Sequence, residues 1–318
     1  MSPATRRHLP LVVTAAIFIT LFAAAGMMYD GFFSTRVFVN LFTDTAVTGI
    51  IAVGMTLVIF SGGIDLSVGA VVGFTSIFTA TLVQKHGVHP AVAGLAALAL
   101  GAALGAFMGT LIHVFKQPPF LVTLAGMFLA RGGAWWISTE STEITHPLFV
   151  TLSGYGLEVG SVRLPTTALI LFAALIAGYV VAHHTRFGRN LLALGGNEHS
   201  ALLMGLPVGL TKIGVYTLSG ASAAAAGLAA VIYSGSGNPS QGLGLELDAI
   251  AVVVIGGTLL SGGRGHMLGT LFGILIFGTI QSALLFDGRL SPAWARIVVG
   301  LLLLGFILLQ RILLRKIR

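Results

Sequence analysis

Along the chain, long apolar runs alternate with short polar interruptions, and the runs lack the period-2 alternation of strands. Ten of them predict membrane-crossing helices, at about Leu9–Met28, Ala46–Phe60, Val68–Val83, Ala91–Phe115, Phe120–Ile137, Thr166–Ala182, Lys212–Tyr233, Leu247–Leu260, Leu268–Phe286 and Trp294–Leu314. A helix needs roughly 20 apolar residues to cross a bilayer, and several of these runs approach that length. The first run follows Arg6 and Arg7 and has small residues at Ala23 to Ala25, which also fits a signal peptide. A retained first span suits a chain that is apolar throughout. The expected fold class is therefore an all-α integral membrane protein of about ten transmembrane helices, some interrupted, forming a single transmembrane domain over residues 1–318.

The polar interruptions differ in kind. KQPP at Lys116–Pro119 and QKHGVHP at Gln84–Pro90 read as turns, since proline cannot continue a helix. Ser138–Pro165 is the longest polar section on one side, and His183–Thr211 is the longest on the other. Ser234–Glu246 reads as a Gly/Ser/Asn loop, and Asp287–Pro292 as a turn. Two interruptions match each other. SGGIDLS at Ser61–Ser67 and SGGRGHM from Ser261 align so that Gly62, Gly63, Gly69 and Gly73 fall on Gly262, Gly263, Gly269 and Gly273. This weak internal duplication implies parallel halves on a ten-span count, and inverted halves if one span is miscounted.

Composition sharpens this picture. Of 318 residues, 56% are hydrophobic and only 8% charged, against about 25% charged in a soluble domain. A large soluble domain is therefore excluded. The net charge of +7 does not point to nucleic acid, because the basic residues sit at the ends of apolar runs. With both termini in the cytoplasm, the inner segments hold Arg6, Arg7, Lys116, Arg186, Arg189, Lys212, Arg264, Arg311, Arg315, Lys316 and Arg318, but only Asp65 and Glu198 among the acids. The absence of cysteine excludes disulfides, thiolate metal sites and cysteine nucleophiles. Gly101, Gly105 and Gly109, spaced by four, predict a close-packing helix face.

Candidate chemistry is sparse. An aspartate at membrane depth costs about 3 kcal/mol on insertion scales, so Asp65 asks for a reason. Gly62–Gly63 lets the backbone leave helical geometry, and Asp65 or Ser67 can cap the helix that follows. Two readings stay open for Ser61, Gly62, Gly63, Asp65, Ser67, Ser261, Gly262 and Gly263: a hinge and cap, or polar groups lining a solute path. Gln281, inside the ninth span, suits a solute contact or a helix–helix hydrogen bond equally. Arg131 is expected to snorkel to the headgroups, or to pair with Glu246 or Asp248. No metal site is expected, and His113, His183 and His184 stand without nearby carboxylates. There is no GxxxxGK[ST] phosphate loop and no catalytic constellation. The classes left are a transport subunit, an ion-coupled secondary sugar carrier, and an integral-membrane glycan- or lipid-modifying enzyme. The carrier would need intramembrane acids and the enzyme a polar cluster at one face.

GMTLVIFSGGIDLSVGA, FLVTLAGMFLARG, TRFGRNLLALGGNEHSALLMG and ELDAIAVVVIGGTLLSGG stand in that order. Together they resemble the inner-membrane permease subunits of bacterial sugar ABC importers, in the branch serving ribose, xylose and arabinose, from about Leu9 to Leu314. STRVFVNLFTD, AWW with STESTEITHPLF, and LLFDGRLS are most similar to the permease of the galactofuranose importer. The resemblance implies a multi-pass protein of the bacterial cytoplasmic membrane. It also implies a periplasmic sugar-binding protein, a second permease subunit (homologous or identical) and cytoplasmic ATPase subunits that bind the ATP and Mg. This chain would bind no cofactor and would not be an enzyme. It further implies a short coupling helix within residues 183–211 that docks on the ATPase. Gly195 and Gly196 would make its turn, Asn197 cap it, and Gly205 end it. Glu198 lies in its first turn, and Ala201, Leu202 and Met204 would form the docking face.

Overall fold

The computed structural model describes residues 3–159, 162–289 and 293–315. The end of the expected turn at residues 290–292 and the basic tail at residues 316–318 lie outside the described residues. The chain runs through α1 (Pro3–Met28), α2 (Thr35–Asp44), α3 (Ala46–Phe60), α4 (Val68–Gln84), α5 (Pro90–Val114) and α6 (Pro119–Ile137). Then follow β1 (Thr142–Glu143), α7 (Pro147–Gly154), β2 (Gly156–Val159), β3 (Val162–Pro165), α8 (Thr166–His184), α9 (Arg186–Gly196) and α10 (Glu198–Leu203). The last elements are α11 (Val208–Ser234), β4 (Ser236–Gly237), α12 (Leu245–Ile255), α13 (Met267–Asp287) and α14 (Ala293–Arg315).

The protein is mostly helical, but two short antiparallel strand pairs qualify the all-α expectation. They join β1 to β4 and β2 to β3, at the end of the bundle opposite α9 and α10. Among the described residues, six helices are long and apolar enough to cross a membrane, or seven when α2 and α3, bent by 57°, are taken as one span. Nine of the ten apolar runs fall on helix to within a residue, but the run expected at Leu247–Leu260 is helical only to Ile255; α4 and α12 are short, with 17 and 11 residues. The reason is local: both begin inside the bundle, after a stretch of non-helical chain.

The core follows from which helices are apolar all round. α3 is buried along nearly its whole length, and α11 and α13 are buried over most of theirs. α1, α5, α6 and α8 expose large apolar side chains on their outer faces, as a lipid-facing layer does. The four-residue glycine spacing on α5 packs against α11. A Cβ on Gly101 or Gly105 would strike the backbone of Gly220 or Tyr216, and one on Gly109 would lie 2.8 Å from Cα of Ile213.

The two copies of the duplication meet. α3 and α12 both run into breaks that touch each other, and α4 and α13 both leave them. Their matched glycines do equivalent work at opposite ends of α12. Gly69 and Gly73 admit the chain entering α12, next to Gly242 and Gln241. Gly269 and Gly273 admit its far end, at Gly256 and Val252.

Candidate functional site

Glycines from three Gly-Gly pairs in distant parts of the sequence, Gly62, Gly195–Gly196 and Gly262–Gly263, meet at one end of the bundle. Gly62 and Gly262 both have positive φ, which glycine alone adopts without strain. A Cβ on Gly262 would lie 2.6 Å from the Gly62 nitrogen and 3.1 Å from Cα of Gly195. A Cβ on Gly263 would lie 2.7 Å from both N and Cα of Gly196. The Gly263 N–H donates to the Phe60 carbonyl at 3.0 Å. Backbone therefore touches backbone, with no side chains between. Ser61 folds back, its hydroxyl donating to the Val58 carbonyl at 2.7 Å, while Ser261 is exposed. Beside this junction the Met267 N–H donates to His183 Nε2 at 3.1 Å, and the His183 and His266 rings stack at 4.2 Å. These contacts tie the end of α8 to the start of α13.

From the junction the chain climbs back into the bundle. Ser219 stands eleven residues into α11, about 16 Å along its axis at 1.5 Å per residue. Its hydroxyl donates to Asp65 Oδ2 at 2.7 Å. Asp65 Oδ1 accepts the Ser67 N–H at 3.0 Å and the Ser67 hydroxyl at 2.6 Å. The carboxylate is fully enclosed and takes three donors. This alters the capping expectation, since neither Asp65 nor Ser67 accepts from the free amides of the first turn of α4. Asp65 instead braces the non-helical entry to α4 against α11. Tyr216, also on α11, adds a 3.4 Å contact from its hydroxyl to the Ile64 carbonyl. Sequence reasoning missed Ser219 and Tyr216; a serine in an Ala/Gly-rich helix was the one available signal.

The polar segment after α8 folds as two helices at this same end. α9 is amphipathic, with Gly188, Leu191 and Leu194 buried. Gly195 and Gly196 are its last residues rather than the turn: a Cβ at Gly195 would strike the Phe60 carbonyl, and the Gly196 backbone lies where a Cβ on Gly263 would fall. The turn comes at Asn197, whose side chain accepts the Ser200 N–H at 2.8 Å and so caps α10. Glu198 pairs with Lys212 at 2.7 Å. Gly205, at φ +75°, turns the chain after α10. Ala201 is fully buried against Leu194 and Val208, so it forms no part of a docking face. Leu202, Leu203 and Met204 are exposed instead. Leu203, at 74% exposure, is the apolar residue that the sequence reading passed over.

Two further expectations change. Arg131 does not snorkel and, among the described residues, forms no contact ion pair with Glu246 or Asp248, although the Glu246 charge acts on it through space. It is buried, and its guanidinium donates to the carbonyls of Pro239 (2.6 Å), Gln241 (2.8 Å) and Gly69 (3.2 Å). The stretch read as a Gly/Ser/Asn loop at Ser234–Glu246 is non-helical over residues 235–244, and it turns inward along α4. Gly237 lies beside Ala80, Ser76 donates to the Asn238 carbonyl at 3.1 Å, and Gly242 lies against Gly69. Gln281 is half-buried on α13, away from the glycine junction.

The chain matches the family described as branched-chain amino acid transport system / permease component over residues 37–307. It is 49% identical over 307 residues to the inner membrane ABC transporter permease protein YjfF of Escherichia coli, covering 96% of this chain and 93% of that protein. It is 38% identical over 318 residues to the fructose import permease protein FruG of Bifidobacterium longum, covering 96% and 92%. It is also 40% identical over 268 residues to the ribose import permease protein RbsC of Escherichia coli, covering 84% and 83%.

Proposed function

The chain belongs to this permease family and is a permease component of a sugar ABC transporter, and on that premise we propose that the glycine junction couples ATPase movement to the solute path. Permease subunits of this kind are not enzymes and bind no nucleotide themselves; the partner ATPase does. One observation carries the proposal. Gly195 and Gly196, at the end of α9, touch both helix breaks through backbone, while the adjoining α10 holds Leu202, Leu203 and Met204 exposed. An ATPase that grips α10 then moves α9, and α9 has no compressible side chain between itself and the breaks. Ser61, Gly62, Gly63, Ser261, Gly262 and Gly263 act as the hinge in this reading. Asp65 and Ser67 brace the inner wall, with no direct role in holding sugar.

We assign the sugar as galactofuranose or a related monosaccharide, supported by the three sequence stretches named above. The relatives' names include fructose and ribose import, so the test must compare sugars. In the same reading ten segments cross the bacterial cytoplasmic membrane, both termini are cytoplasmic, and a second permease subunit completes the path. A periplasmic binding protein delivers the sugar to the face bearing β1–β4. The experiment is reconstitution with candidate binding-protein, permease and ATPase partners, reading sugar-stimulated ATP hydrolysis with galactofuranose, ribose and fructose. A Leu203→Glu arm should lose ATPase co-purification and uptake, with membrane insertion intact. Uptake by that variant at the parent rate would sink the docking assignment. Sugar uptake with no ATPase present would favour the ion-coupled carrier.

A further inference from the structure

The chain between α11 and α12 is out of place for a lipid-facing surface. Its depth can be measured along α4, whose last residue, Gln84, hydrogen-bonds Thr145 of the β1–β4 end. Gly73 contacts Pro239 and Gln241, and it stands eleven residues, about 16 Å, inward from Gln84. Residues 238–244 are non-helical at that depth, and Gly242 and Gly244 have positive φ. One side is sealed by α4 and by the Arg131 guanidinium on the Pro239 and Gln241 carbonyls. The other side is open: Ser240, Leu243 and Leu247 are exposed, the two leucines by 61% and 62%.

Lipid cannot cover that side, because irregular backbone at membrane depth is tolerated only inside protein or against water. A second observation points the same way. Glu246 and Asp248 occupy the first turn of α12, and exposed Arg296 on α14 acts electrostatically on Asp248. Ionisable groups within a membrane face a bundle interior or a wetted cavity. Resting on the permease reading, we propose that residues 238–248 form a wall of the aqueous solute path, facing a second permease subunit. Ser240 and Gln241 there offer hydroxyl and amide groups to a polyhydroxylated solute. Leu243 and Leu247 supply apolar surface beside them.

The chain has no cysteine, so single cysteines report cleanly. Ser240→Cys and Leu243→Cys are placed in the assembled complex in membranes, with Ile176→Cys on the outer face of α8 as the lipid-facing reference. Each is treated with a charged sulfonatoethyl methanethiosulfonate and, separately, with lipid-soluble N-phenylmaleimide. A thiol reacts as its thiolate and so needs water, and the charged reagent should modify position 240 or 243 about tenfold faster than position 176. Modification by the maleimide alone at both positions would show a crevice closed to charged, hydrated molecules and overturn the proposal. Protection from both reagents at both positions would place the thiols in lipid or in a sealed protein contact, where no thiolate forms, and overturn it as well. ATPase co-purification with the unmodified chain reports separately on the permease reading.

Discussion

The junction at Gly195 allows a sharp test, because its neighbour Gly196 is the natural control. Both sit at the end of α9 and both would become alanine. A Cβ at Gly196 meets nothing within 4 Å. A Cβ at Gly195 would lie 2.6 Å from the Gly263 nitrogen and closer still to the Phe60 carbonyl oxygen. Ordinary contact begins at 3.4 Å, so these backbones must part by about 0.8 Å or more. That separation strains the Gly263 N–H to Phe60 carbonyl bond, now 3.0 Å long. Overpacking of this kind costs about 1–3 kcal/mol. The disturbed hydrogen bond adds about 1 kcal/mol, and the better helix propensity of alanine returns about as much. Gly195→Ala should therefore lose about 2 kcal/mol, whereas Gly196→Ala should be neutral or gain up to about 1 kcal/mol. If only one of the two transport states keeps the junction closed, 2 kcal/mol shifts their ratio by about thirty-fold. Thermal melting of the purified complex and ATP-dependent sugar uptake would be measured for both variants. Equal melting and equal uptake would show that the backbone contact has no consequence, and the coupling argument would fall.

Other substitutions follow from the same geometry. Arg131→Lys keeps the charge but loses the planar fork that reaches three carbonyls; each bond lost to a charged donor costs about 1.5–3 kcal/mol, so uptake should collapse while insertion persists. Parent-level uptake by Arg131→Lys would show that the inward segment does not depend on the clamp. Asp65→Asn replaces one acceptor oxygen with a donor facing Ser67 or Ser219 and should lower stability by about 1–3 kcal/mol, more than Ser219→Ala, which removes a single bond. A melt that ranks these two variants the other way would refute the bracing role.

Much of the architecture was legible from local pattern. Uniformly apolar runs, glycine spacing at Gly101–Gly109 and the basic segment ends can be read residue by residue, because each reports on solvent or on a single helix face. The Asn197 cap and the turn at Gly205 were also legible, since capping is a property of a few adjacent residues. Ala201 and Leu203 were exchanged because the face of a helix as short as α10 is set by what it lies on, here Leu194 and Val208. No amphipathic period can be read over six residues.

Arg131 and the 238–244 segment show the other limit. A cation near a run end and a Gly/Ser/Asn stretch both suit a membrane surface by composition. Only the packing brings each inside, where the guanidinium satisfies carbonyls that water would otherwise serve. The two SGG interruptions are visible as a pair in the sequence. That they touch, and that Gly195–Gly196 completes the contact, lies beyond it, because the three pairs are separated by more than sixty residues at each step. The sequence by itself determined where the chain is apolar, where it breaks and which breaks are alike, since these rest on local chemistry. Only the tertiary structure decided which breaks meet, which helix end carries the bare backbone between them, and which polar residues face inward, since close approach depends on where distant segments are brought together.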